Sequence, residues 1–152
     1  MQTFLPYNSF LQSVRCLDQH RLGKQRIETV EILVTLSEEQ PDWMSDAWYA
    51  RCQGHANHPA VKMWEGYEYA LADYGVACCY EWMHRGFKDT LLEKIDVFTA
   101  YDDFEYPHWF GEPMFHASHR GNLLRKKAEH YGAFGWTEDP ATPYWWPTKQ
   151  NV

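Results

Sequence analysis

The feature that most constrains the fold of this chain is the spacing of its apolar residues, which follows the α-helical period. In a first stretch, from about Phe10 to Leu36, the apolar side chains recur about every 3.6 positions on one side: Leu22, Val30, Leu33 and Val34, with Ile27 at the edge. The other side carries polar residues at helical offsets: His20, Lys24, Glu28 and Glu31. This pattern predicts one long amphipathic helix.

Two further stretches have the same period. One runs from about Pro59 to Arg85, with proline at a position that suits the first helical turn and Gly86 as a stop signal. The other runs from about Ser118 to Tyr131, and Ser118 is its predicted N-cap. Both stretches therefore predict helices.

Almost no stretch alternates apolar and polar residues as a strand does. With 152 residues, of which 45% are hydrophobic and 17% aromatic, the chain is long enough to build one core. We therefore expect an all-α single domain over residues 1–152, with three main helices, an irregular acidic loop and an aromatic-rich C-terminal coil, AFGWTEDPATPYWWP, wrapped over the helices.

The charges of the chain are segregated, although its net charge is −7. Eight of the 14 basic residues fall in two windows: Arg15, Arg21, Lys24 and Arg26, and then Arg120, Arg125, Lys126 and Lys127. The acidic residues concentrate in the loop over residues 89–112. Because a local basic patch binds phosphate whatever the net charge, two basic helices that meet on one surface would suit a nucleic-acid backbone.

Several classes of protein are disfavoured by what the sequence lacks. No apolar run approaches the ~18 residues of a membrane-spanning helix, and the N-terminus does not resemble a signal peptide. The four cysteines form no CxxC pair, and there is no glycine-rich phosphate loop, GxSxG or HExxH motif. We therefore expect a cytoplasmic protein with reduced thiols and no cofactor.

Two HxxH pairs offer four imidazoles: His55 with His58, and His116 with His119. Such pairs are typical either of a transition-metal site or of histidines that cap helices and bond backbone groups. No acidic ligand recurs at a fixed offset from them. A metal-dependent nuclease or hydrolase is therefore kept as an alternative, and no metal ligand is assigned.

Glu28 is the residue of the first basic window that is hardest to explain by binding alone. A carboxylate repels phosphate, so Glu28 is either an ion-pair partner of Lys24 or a group that takes part in chemistry. The first reading makes the chain a non-catalytic nucleic-acid-binding module. The second makes it an enzyme that acts on nucleic acid.

Three blocks of the sequence resemble the phage pyrimidine-dimer DNA glycosylase family of the endonuclease V type: LDQHRLGKQRIE, EWMHRGFKDT, and HASHRGNLLRK followed by HYGAFGW. They occur in the order found in that family and cover about a third of the residues. RLGKQRIE and NHPAVKMWEGY also resemble stretches of an uncharacterised group of bacterial and phage proteins.

The resemblance implies that an N-terminal α-amine attacks C1′ of a damaged nucleotide and that a helix-one glutamate, here Glu28, stabilises the sugar cation and moves protons. It matches Gln19 and His20 to a DNA-contacting pair, and Arg26 and Arg125 to phosphate contacts. An α-amine suits the nucleophile, because its pKa of about 8 leaves more of it neutral than a lysine of about 10.4.

The chain departs from that family at two points. The arginine and glutamate of the family are adjacent, whereas Ile27 separates Arg26 from Glu28 here. The family loses its first methionine to expose a threonine, whereas the bulky Gln2 is expected to keep Met1 in place, so Met1 is the candidate nucleophile.

The sequence therefore predicts a monomeric DNA glycosylase, with or without abasic-site lyase activity, that acts on a damaged or modified pyrimidine in double-stranded DNA. Its candidate catalytic residues are Glu28 and Met1. The candidate nucleic-acid contacts are Arg15, Gln19, His20, Arg21, Lys24, Arg26, His116, His119, Arg120, Arg125 and Lys126.

Overall fold

Two long helices that cross closely form the centre of the fold. A computed structural model describes residues 1–100 and 102–147, and within these residues the regular structure is helical, with no strand. The helices are α1 Phe10–Cys16, α2 Gln19–Ser37, α3 Asp46–Gly54, α4 Pro59–Lys62, α5 Glu68–His84, α6 Leu92–Asp96, α7 Pro113–Lys126 and α8 Ala128–Tyr131, followed by a 3-10 turn, Gly132–Phe134. The all-α prediction is confirmed.

Helices α2 and α5 make the most extensive helix–helix contact, and α1, α3 and α6 pack around them. Gly75 on α5 permits this approach, because a β-carbon there would lie 2.5 Å from Cγ2 of Thr29 on α2 and 3.1 Å from Ile95 on α6. The core around this crossing is rich in aromatic rings, with Trp64 and Tyr74 fully buried. The four cysteines are free and buried.

The prediction of one long first helix is wrong, because the chain breaks between α1 and α2. Leu17 is extended, with φ −68° and ψ 139°, and Asp18 caps α2 by accepting a hydrogen bond from the backbone N–H of Arg21. An aspartate is well suited to an N-cap, since its carboxylate satisfies an otherwise unpaired N–H at the helix start. The break separates Arg15 from the rest of the first basic window.

The other two predicted helices are also divided. The second begins at Pro59 and stops near Gly86 as predicted, but it is interrupted between α4 and α5 by Gly66, whose φ of 87° is left-handed. The third begins earlier than predicted, at Pro113, and ends at Lys126 before the short α8. Ser118 is therefore buried inside α7 and not at its N-cap, and its hydroxyl donates to the carbonyl of Phe115.

Two short helices were not predicted. Helix α3 begins at a serine N-cap, Ser45, whose hydroxyl accepts from the N–H of Trp48. Helix α6 lies within the predicted acidic loop, and Tyr101 of that loop is outside the described residues. The C-terminal coil is irregular and lies over α7, as predicted. Among the described residues no helix is long and apolar enough to cross a bilayer.

Gly75→Ala is expected to destabilise the fold by about 1–3 kcal/mol, because an added methyl group overpacks the α2–α5 crossing. The free energy of unfolding in urea measures this. Gly54→Ala in α3 is the matched control, since its β-carbon would meet no atom within 4 Å. Equal stability of Gly75→Ala and the parent chain would contradict the close approach.

Candidate functional site

The first residues of the chain form an extended segment that is buried in the protein. Residues 2–6 are all buried, and side chains from three helices, α2, α5 and α7, bond their backbone groups. The N–H of Leu5 donates to Nδ1 of His119 at 2.9 Å, and its carbonyl accepts from Nδ1 of His116 at 2.7 Å. Nη1 of Arg120 donates to the carbonyl of Pro6 at 2.7 Å. The N-terminal segment is therefore fixed by α7 over its last two residues.

Gln25 on α2 fixes the other end of the N-terminal segment. Its Oε1 accepts from the N–H of Phe4 at 2.8 Å and from the hydroxyl of Tyr74 at 2.7 Å. Its Nε2 donates to the carbonyl of Gln2 at 2.9 Å and to Oε2 of Glu28 at 3.0 Å. One amide side chain thus joins the N-terminal segment, α5 and Glu28.

This anchoring places Met1 and Glu28 in the wall of one cavity of about 280 Å³. The cavity is lined by Met1, Gln2, Phe4, His20, Arg21, Lys24, Gln25, Glu28, Lys126 and Tyr144. Three of these are cations, and they come from both basic windows. The cavity therefore brings together cations of α2 and of α7, the two helices for which the sequence predicts a common basic surface.

Glu28 has an environment that favours a bound proton. Burial raises the pKa of its carboxyl group above the usual value, although the Met1 ammonium, the N–H of Gln2 and Lys24 act in the opposite direction. The Gln2 N–H lies 3.4 Å from Oε2 of Glu28. No ion pair joins Glu28 to Lys24 among the described residues, so the carboxylate is held by Gln25 and Gln2 instead.

Arg26 and Glu28 face different sides of α2. Two residues along a helix correspond to a rotation of about 200°, so the extra Ile27 turns Arg26 away from the cavity. The Arg26 guanidinium is buried, pairs with Asp89 at 3.2 Å and lies 4.6 Å from the ring centre of Trp82. The structure therefore places Arg21 and Lys24, and not Arg26, beside Glu28.

His116 and His119 do not lie at the mouth of the cavity. Both are buried, and His116 also accepts the N–H of Gly111 at Nε2, so that both of its ring nitrogens are occupied. Burial lowers the pKa of His119 to about 3 and lowers that of His116. Both are neutral rings that hold the backbone of Leu5. In the described part of the chain, no group of three or more potential metal ligands lies together.

Both arginines of α7, Arg120 and Arg125, bond residues of the C-terminal coil. Arg120 forms an ion pair with Glu138. Arg125 is exposed, donates to the carbonyl of Pro140 at 3.1 Å and bonds Asn122. It does not line the cavity, but its charge acts on Lys126 and Tyr144, which do.

Gln19 and His20 are exposed at the start of α2, and His20 lines the cavity. Arg15 lies apart from them, at the edge of a larger cleft of about 1090 Å³ between α1, α5 and the aromatic residues Tyr106 and Phe110. Since this cleft contains neither Met1 nor Glu28, its size does not make it the better candidate for the chemistry.

Sequence reasoning missed four residues of the cavity: Gln2, Phe4, Gln25 and Tyr144. Gln25 lies three positions before Glu28, a spacing that puts both on one face of a helix, so this signal was available. Tyr144 comes from an irregular coil, where no periodicity indicates which way a side chain points.

Gln25→Met is expected to lower the free energy of unfolding by several kcal/mol, because the buried backbone groups of Gln2 and Phe4 each lose a partner at about 1–3 kcal/mol, while the Tyr74 hydroxyl keeps the Phe4 carbonyl. Amide hydrogen exchange at Phe4 is expected to speed up. Gln19→Met, at an exposed position of the same helix, is the control. Unchanged exchange at Phe4 would contradict the anchoring.

The raised pKa of Glu28 makes a prediction about the pH dependence of stability. Between the pKa of the unfolded chain and the higher one of the folded chain, the folded state binds more protons, so stability falls as pH rises through this window. Glu28→Gln is expected to remove this loss of stability. Its free energy of unfolding is therefore expected to increase relative to that of the parent chain as pH rises through this window. A series of urea unfolding curves across this window measures it. A constant difference between the two proteins would contradict the raised pKa.

Comparison with known protein families identifies a match. The family model described as pyrimidine dimer DNA glycosylase matches residues 1–94, a span that includes the N-terminal segment, α2 and α5. No curated protein and no solved structure matches the chain. Because the matched span exceeds half of the sequence and carries Met1 and Glu28, the chain belongs to the pyrimidine dimer DNA glycosylase family.

Proposed function

We propose that this protein excises a damaged or modified pyrimidine from double-stranded DNA and cleaves the resulting abasic site, using the cavity between the N-terminal segment and α2. The observation that carries this proposal is the shared cavity of Met1, Glu28 and the three cations Arg21, Lys24 and Lys126. A nucleophile, an acid–base group and a phosphate-binding surface are the parts that this chemistry needs.

In the proposed reaction the neutral Met1 amine attacks C1′ of the damaged nucleotide. The glycosidic bond breaks, its electrons leave with the base, and the base takes up a proton. The amine nitrogen then loses a proton and its lone pair forms the C1′=N bond, while the C1′–O4′ bond breaks and O4′ takes up a proton, which opens the sugar ring to a protonated imine. Removal of a C2′ proton breaks the C3′–oxygen bond and releases the 3′ phosphate, which is the lyase step.

Glu28 is the proton-transfer group in this scheme. Its raised pKa leaves a larger protonated fraction near neutral pH than an ordinary glutamate has. When it is ionised, its charge stabilises a developing sugar cation. Its hydrogen bonds to Gln25 and to the Gln2 N–H hold it toward the cavity before substrate arrives.

We assign Arg21, Lys24 and Lys126 to phosphate contacts, with Gln19 and His20 on the adjoining exposed surface of α2. Burial lowers the pKa of Lys126, and the charges of Arg21, Arg125 and Lys24 add to this, as expected where cations converge on a site for an anion. Arg26, His116, His119 and Arg120 hold the protein scaffold in this proposal. Arg15 stays a predicted contact outside the cavity.

Borohydride trapping on a duplex with an abasic site tests the proposal. The expected result is a covalent adduct at residue 1, located by mass spectrometry of the trapped peptide. An N-terminal extension that moves the amine is expected to abolish the adduct. Glu28→Gln is expected to slow base release from ultraviolet-irradiated duplex by about 10²–10⁴-fold, the usual contribution of a general acid or base.

Glu31→Gln is the matched control, since this half-buried glutamate stands one turn further along α2 and does not line the cavity. Base release without a trapped adduct would remove the lyase step and leave the glycosylase. Equal rates for Glu28→Gln and Glu31→Gln would remove Glu28 from the chemistry.

A further inference from the structure

The C-terminal coil completes the cavity from outside the region that matches the family model. After the 3-10 turn, the coil crosses α7 and is held there by three side chains that follow one face of the helix. Arg125 donates to the carbonyl of Pro140, Nδ2 of Asn122 donates to the carbonyl of Thr142 at 3.0 Å, and the hydroxyl of Ser118 accepts from the N–H of Trp145 at 3.1 Å. The coil has therefore a fixed path.

Gly121 makes this path possible. A β-carbon at this position would lie 2.8 Å from the carbonyl oxygen of Asp139 and 3.3 Å from Cβ of Thr142. The first of these is a backbone atom, which cannot move aside as a flexible side chain does. Any side chain at residue 121 would therefore lift the coil from α7.

The coil places Tyr144 in the wall of the cavity that Glu28 also lines. The Tyr144 ring packs edge-on against His119 at 5.7 Å and lies 6.5 Å from Phe4, so it contacts both the N-terminal segment and a residue that anchors it. The Tyr144 hydroxyl makes no hydrogen bond within the described residues, although the side chain is half-buried. Over residues 1–100 and 102–147 this donor has no partner.

The charges around Tyr144 indicate which kind of group its hydroxyl is suited to bind. Burial raises the pKa of Tyr144, and the cations Arg125 and Arg21 act in the opposite direction while Glu28 adds to the rise. The hydroxyl group is therefore protonated at neutral pH and stands in the field of two arginines. A protonated donor beside cations is suited to an anionic oxygen.

We propose that Tyr144 is a substrate-binding residue whose hydroxyl donates a hydrogen bond to a phosphate oxygen of the nucleotide held beside Glu28. This inference rests on the proposed function, because it takes DNA to be the occupant of the cavity. It adds a contact that charge patterning does not reveal, from a segment that the family model does not cover.

The test is the affinity for a duplex that contains a tetrahydrofuran abasic analogue, measured beside an undamaged duplex. Tyr144→Phe is expected to weaken binding of the analogue duplex about tenfold or more, the usual effect of losing a hydrogen bond to a charged group. Tyr80→Phe, an exposed tyrosine of α5 outside the cavity, is the matched control and is expected to bind as the parent chain does.

Salt dependence separates a direct contact from a general disturbance of the basic surface. Because the phenol is uncharged, Tyr144→Phe is expected to leave the slope of log affinity against log salt unchanged, whereas Lys24→Ala lowers its magnitude by about 0.9. Gly121→Ala displaces the coil and is expected to weaken binding as well. Adding Tyr144→Phe to Gly121→Ala is then expected to cost little more.

Parent-like affinity of Tyr144→Phe would overturn the inference and leave the proposed function intact, provided that trapping at residue 1 and the Glu28→Gln effect persist. A changed salt slope in Tyr144→Phe would overturn it too, since the loss would then come from displaced cations. A parent chain that does not prefer the analogue duplex would overturn the inference together with the use of this cavity for DNA.

Discussion

The hydrogen bonds of Gln25 are the interaction on which the rest of the site depends. This buried amide satisfies the backbone at Gln2 and Phe4, bonds the hydroxyl of Tyr74 and holds Glu28. An extended segment cannot satisfy its own backbone groups as a helix does, so its burial requires such partners. His116, His119 and Arg120 do the same work further along the segment.

The buried carboxylate and the converging cations both work against stability. Ionised Glu28 is held where burial opposes its charge, and Lys126 stands among like charges. The free energy that these groups cost must be offset by stabilising contacts elsewhere in the fold. Here the aromatic core and the α2–α5 crossing provide those contacts. Along α2, Glu28 and Lys24 face the cavity, whereas Arg26 faces away from it and pairs with Asp89.

Sequence patterns predicted the helical class and made Glu28 and the basic residues of two helices candidates, because helical periodicity and charge are local properties. They did not predict the break at Leu17, because one extended residue before a capping aspartate leaves the apolar spacing almost unchanged. The histidines were misplaced for a related reason. A sequence does not show whether an imidazole meets solvent or a backbone group more than a hundred residues away, as His119 meets Leu5.

The sequence separation of these contacts has a consequence for the order of folding. Leu5 is bonded to residues 111 and 114 positions later, and Asp18 to Tyr131, 113 positions later. Contacts of this range form late, because the intervening chain must be closed into a loop first. On the ribosome, Gln25 of α2 is within reach of Gln2 and Phe4 early, whereas Leu5 and Pro6 meet their partners only after α7 has emerged. The cavity beside Glu28 is complete only when α7, which carries Lys126, is in place.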